Sequence, residues 1–168
     1  MKEMTSAITK ELNNWLEKNE FKVRVRGDAD DFCWYGCSNT IEYSVRAADK
    51  HLRLWSQLLD SLGLNAIIDP FYSAFLHEVG HSITYWDFTE EEIEEYYETL
   101  ESMDEEPDSF VEDITWTYFH LPMEIVATEW MVNYINSHFE AVKELVDAVR
   151  PLLVNYLTSR KDFLGKAS

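Results

Sequence analysis

The chain is poor in cysteine and in positive charge, and it contains no long apolar run. Its 168 residues include two cysteines, Cys33 and Cys37, spaced C-x3-C with no second pair. That spacing supports neither a disulfide framework nor a four-cysteine metal site, so two reduced, half-buried thiols in a strand or turn are expected. No segment approaches the ~20 apolar residues that cross a bilayer. The opening Met1-Lys2-Glu3-Met4-Thr5 lacks the apolar core of a signal peptide, so a cytoplasmic location away from membranes is expected. Basic residues number 14 against 32 acidic ones, a formal net charge of −18. Such an excess repels phosphate backbones and anionic lipid, which argues against a nucleic-acid partner and leaves open a basic partner or substrate, or mimicry of nucleic acid.

What is present argues for a folded globule. Apolar residues make up 46% of the chain and aromatic ones 14%, enough to build a core. A single domain over residues 1–168 is expected, of α+β class: mainly helical with a small antiparallel sheet of about three strands. A first helix capped at Thr5 or Ser6 carries Ile8, Leu12, Trp15 and Leu16 on one face and ends near Asn19. Phe21–Arg26 alternates apolar and basic residues, and Phe32–Tyr35 and Thr40–Val45 read as further strands around a turn at Gly36-Ser38-Asn39. A helix over Asp49–Leu62, with a surface His51, ends at Gly63. Thr89-Glu90-Glu91-Glu92 is a capping box that opens a strongly acidic helix with Ile93, Tyr96, Tyr97, Leu100 and Met103 inward; this helix and its loop, about 89–109, read as an insertion. A second capping box stands at Ser109, Pro122 opens a further helix, and Phe139 to Leu157 supplies closing core helices around Pro151 before a polar tail from Arg160.

The chemistry concentrates in Phe71–Tyr85, which contains His77-Glu78-Val79-Gly80-His81. On an α-helix, positions i and i+4 lie one turn apart on one face, so His77 and His81 can present ring nitrogens to one metal ion with Glu78 beside it. The helix is independently signalled by Asp69-Pro70, an N-cap followed by proline, and by Phe71, Phe75, Leu76, Val79 and Ile83 at helical spacing. Two histidines leave an ion under-coordinated, and the later helix offers Glu124 and Glu129 as a third ligand.

Together with His77-Glu78-Val79-Gly80-His81, the segment Glu124-Ile125-Val126-Ala127-Thr128-Glu129-Trp130 resembles the E-x-x-A-[DN]-x-[FW] pattern of small zincin metallopeptidases of the ImmA/IrrE type and their phage relatives. The resemblance implies a zincin-like, gluzincin-type fold. It makes Glu124 the third metal ligand and lets Ala127 bring its helix close to the site. Thr128 stands where relatives often carry Asp or Asn to support a ligand histidine, and Glu129 is the alternative ligand or support. The cofactor expected is one zinc ion per chain. The activity expected is hydrolysis of a peptide bond in a peptide or protein, with Glu78 as general base and Tyr85, Tyr118, His120 or Tyr134 as oxyanion donor. A competing reading from a different class is a non-catalytic acidic protein that binds a basic partner or mimics DNA, with a structural or vestigial metal site.

Overall fold

The computed structural model describes residues 2–27, 32–43, 45, 56–64, 68–104 and 118–165. In chain order these form α1 (Lys2–Lys18), β1 (Arg24–Gly27), β2 (Cys33–Tyr35), β3 (Thr40–Tyr43), α2 (Pro70–Thr84), a 3-10 turn (Tyr85–Asp87), α3 (Glu90–Asp104), α4 (Pro122–Ser137) and α5 (Phe139–Gly165). Residues 56–61 are also helical. The architecture is α+β, mainly helical with one small sheet. The chain divides into two compact units, one of Met1–Leu52 and Tyr134–Ser168 and the other of Arg53–Asn133. The first half of the helix expected from Asp49, with His51, falls outside the described residues, as do the acidic loop beyond Asp104 and the capping box at Ser109. Among the described residues no helix is long and apolar enough to cross a membrane.

In the first unit the sheet corrects the antiparallel expectation, because it is mixed. Its order is β1-β3-β2, with β2 antiparallel to β3 but β1 parallel to it. Alternating sequence fixes which face a side chain takes, not which strand sits in the middle. The signal for the middle strand is β3 itself: Thr40, Ile41 and Tyr43 are all buried, whereas β1 and β2 alternate like half-buried strands. Val25, Ile41 and Trp34 lie in one register row and form the buried face. Lys22, Arg24 and Arg26 are exposed, as the alternation predicts. The outer edge of β1 is closed by a side chain: Asn13 accepts from the Val25 N–H at 2.9 Å and donates to the Val25 carbonyl at 3.0 Å. That pairing satisfies the edge groups another chain would otherwise use.

Helix α1 packs against β1 and α5, and Ile8, Leu12, Trp15 and Leu16 are buried as their spacing predicts. It begins at Lys2 rather than being capped at Thr5 or Ser6, because Thr5 lies inside the helix with its carbonyl accepting from the Thr9 hydroxyl. At the other end, α5 runs unbroken through Pro151 to Gly165 instead of forming separate helices with a polar tail. Proline removes one N–H and leaves the carbonyl of residue 147 unpaired. Here Asp147 and Pro151 are both exposed, so water can take that carbonyl. Ile83, Tyr97, Phe139 and Leu157, all read as core, are likewise exposed.

Two helix ends use the same C-terminal motif with different residues. At Gly63, φ is +69°, Leu64 N–H donates to Leu59 and Gly63 N–H to Asp60. At Glu20, φ is +63°, Phe21 N–H donates to Leu16 and Glu20 N–H to Glu17. Both are Schellman closures, and only glycine enters the left-handed region without strain. Gly63→Ala is therefore expected to cost about 1 kcal/mol and Glu20→Gly to gain up to about 1 kcal/mol. Urea midpoints moving in these opposite directions would support this account, and midpoints moving together would contradict it.

Candidate metal centre

The second unit is organised around α2. Asp69 is its N-cap and Pro70 its first residue, but the Asp69 side chain makes no capping hydrogen bond; its carbonyl instead accepts from Tyr72 and Ser73. Unlike a surface helix, α2 is buried nearly all round from Tyr72 to Ser82. Phe75, Leu76 and Val79 have no exposure, so the polar groups among them sit in an apolar wall. His77, Glu78 and His81 are those groups. All three are buried and each offers a ligand atom within 4.8 Å of the other two, a cluster that can hold a metal ion.

Helix α4 brings Glu124 to the same place. Its carboxylate, with no exposure, lies 2.8 Å from His77 Nε2 and 3.3 Å from His81 Nε2. Residues 124, 127, 128, 131 and 135 share one face at helical spacing. Ala127, Met131 and Ile135 are buried, and Thr128 Oγ1 reaches His77 Nδ1 at 3.2 Å. Nε2 donates to the Glu124 carboxylate, which can only accept, and Nδ1 on the other side of the ring meets the Thr128 hydroxyl, a second contact that fixes the ring's orientation. Glu129 lies on a different face of α4 and is exposed. The structure therefore brings Glu124, not Glu129, to the histidines.

The two helices meet backbone to backbone. A β-carbon on Gly80 would fall 2.7 Å from the Ala127 carbonyl oxygen and 3.3 Å from its Cα. The residue between Val79 and His81 must therefore be glycine for Glu124 to reach the histidines, with the small Ala127 facing it.

Burial alone would raise the pKa of Glu124, but the hydrogen bonds and charges of His77 and His81 outweigh it and hold the carboxyl well below its usual range. For His81 burial opposes protonation, and Glu124 and then Glu78 more than offset it, so its pKa is raised. Tyr96 of α3 also donates its phenol hydrogen to Glu124 Oε1. Burial, followed by the charge of Glu124, pushes the phenols of Tyr96 and Tyr118 well above their ordinary value, so both remain protonated donors. Tyr118 hydrogen-bonds with Tyr96 and with Glu124.

Tyr96 has a role that the sequence reading missed. Helical spacing identified it as inward, but spacing cannot distinguish a phenol that packs from one that donates. Of the other oxyanion candidates, His120 is exposed in the turn before α4, Tyr85 is half-buried with its ring on Trp86, and Tyr134 packs on Trp15, Phe21 and His138 in the first unit.

No protein-family model, curated protein or solved structure matches this chain. The resemblance to zincin peptidases therefore rests on the two motifs and on the convergence of their residues.

The donor set suits a metal ion. Two imidazoles and one carboxylate are the ligands of catalytic zinc sites of the His2Glu kind. A tetrahedral ion at metal–ligand distances of about 2.0–2.2 Å separates neighbouring donor atoms by roughly 3.3–3.5 Å. His81 Nε2 lies 3.3 Å from Oε1 and His77 Nε2 lies 2.8 Å from Oε2, so the two histidines meet different oxygens of the Glu124 carboxylate. Gly80→Ala is expected to lower stability by about 1–3 kcal/mol, since the atom it meets is backbone and cannot rotate away. Urea unfolding of the variant measures this, and an unchanged midpoint would contradict the close approach of α2 and α4.

Proposed function

We propose that the chain is a zinc-dependent peptidase in which His77, His81 and Glu124 hold the ion and Glu78 is the general base. The observation that supports this most is the buried cluster of His77, Glu78 and His81 on one helix, with the buried Glu124 of a second helix against both histidines. A zinc ion in this donor set supplies Lewis-acid polarisation of a carbonyl and lowers the pKa of a water from ~15.7 to about 7. Thr128 holds the His77 ring through Nδ1, leaving Nε2 for the ion. Glu78, next to His77 and buried, takes the proton of the attacking water and returns it to the departing amine. The apolar residues of α2 exclude bulk water from that transfer.

The acidic surface suits a basic peptide or protein as substrate. Along α3, Glu90, Glu91, Glu94, Glu95, Glu98 and Glu101 are exposed. The same face is the observation that favours the second reading, a non-catalytic protein that binds a basic partner or mimics DNA. Binding that displaces DNA from a basic protein, and that persists in chelator and in Glu78→Gln, would favour it.

Incubating the zinc-loaded protein with a peptide library rich in Lys and Arg, and reading products by mass spectrometry, tests the peptidase. Glu78→Gln should keep the metal and the fold while cleavage falls by about 10²–10⁴-fold. Cleavage undiminished in that variant would overturn the assignment of the base.

A further inference from the structure

We infer that Tyr96 is a positioning residue for the metal centre, which fixes the Glu124 carboxylate and ties the acidic helix α3 to it. The inference rests on the metal-site reading above. Glu124 has no exposure, so none of its oxygens can be satisfied by bulk water, and each protein partner sets where the carboxylate points. His77 meets Oε2 and His81 meets Oε1. Both are ligands in the proposed function, so neither can serve as an outer support once an ion is bound. Tyr96 donates to Oε1 from a separate helix and can keep that bond while Oε2 ligates. Thr128 does for His77 what Tyr96 does for Glu124: each is a hydroxyl that bonds the ligand through an atom or lone pair turned away from the ion.

The placement of Tyr96 follows from local structure. The reciprocal capping box, with Thr89 N–H donating to Glu92 at 2.8 Å and Glu92 N–H to Thr89 Oγ1 at 3.3 Å, fixes where α3 begins. Tyr96 then lies one turn after Glu92, on the half-buried side that it shares with Ile93 and Leu100. Its neighbour Tyr97 points to solvent. Adjacent tyrosines thus have different surroundings, which provides a matched control.

Zinc affinity measured by chelator competition, with cobalt(II) absorption as a spectroscopic readout, tests the inference on the full chain. Tyr96→Phe keeps the ring and removes only the hydroxyl. It should weaken zinc binding by about 10–100-fold and shift the cobalt d–d bands, while Tyr97→Phe leaves both unchanged. In the unaltered protein, zinc loading should slow amide exchange across residues 93–100 severalfold, a measurement that needs no variant. If Tyr96→Phe binds zinc as tightly as the parent with the same cobalt spectrum, the role of Tyr96 is overturned while the metal site stands. If Tyr96→Phe does not fold, the exchange measurement decides, and unchanged exchange overturns the coupling to α3. An unaltered protein that takes up neither ion overturns the metal-site reading itself.

Discussion

A carboxylate with no exposure must have its charge answered inside the protein. For Glu124 the answer is His77, His81, Tyr96 and Tyr118, and the architecture of the second unit follows from bringing these groups together. Removing a carboxylate from water costs several kcal/mol unless hydrogen bonds and opposite charge replace the solvent. The same concentration of buried donors is what a metal ion requires, so the interaction that stabilises the fold here is inseparable from the one that supports chemistry.

The constraint spreads outward through backbone contacts. Glu124 reaches the histidines only because Gly80 lets α2 touch the Ala127 backbone, and that contact fixes which face of α4 turns inward. Once Glu124 is inward, Thr128 lies one turn further along the same face and meets His77. The Tyr96 phenol links helix α3 to Glu124, while Glu90, Glu91, Glu94, Glu95, Glu98 and Glu101 are exposed.

The site was largely legible because its spacing is local. His77, Glu78 and His81 follow from i, i+4 geometry, and Asp69-Pro70 and Pro122 mark the starts of the two helices that carry the ligands. The choice of Glu124 over Glu129 was not fixed by composition or periodicity, since both lie on α4; the motif resemblance pointed to Glu124, and the structure places it at the histidines. Thr128 departs from the motif yet still reaches the ring nitrogen, because a hydroxyl can either donate or accept there. Tyr96 was hidden because a half-buried tyrosine at helical spacing reads the same whether it packs or donates. The parallel pairing of β1 with β3 is a long-range choice, and alternation carries no record of strand order. The passage of α5 through Pro151 takes place on an exposed side of the helix, where Asp147 and Pro151 both face water, and no pattern in the neighbouring residues revealed it.

The central claim is that His77, His81 and Glu124 form one metal site, and elemental analysis of the purified protein tests it most directly. About one zinc per chain in the parent, lost in both His77→Ala and Glu124→Ala, is the result predicted for a three-ligand site. No zinc in the parent after zinc is supplied, or full retention in either variant, would contradict it.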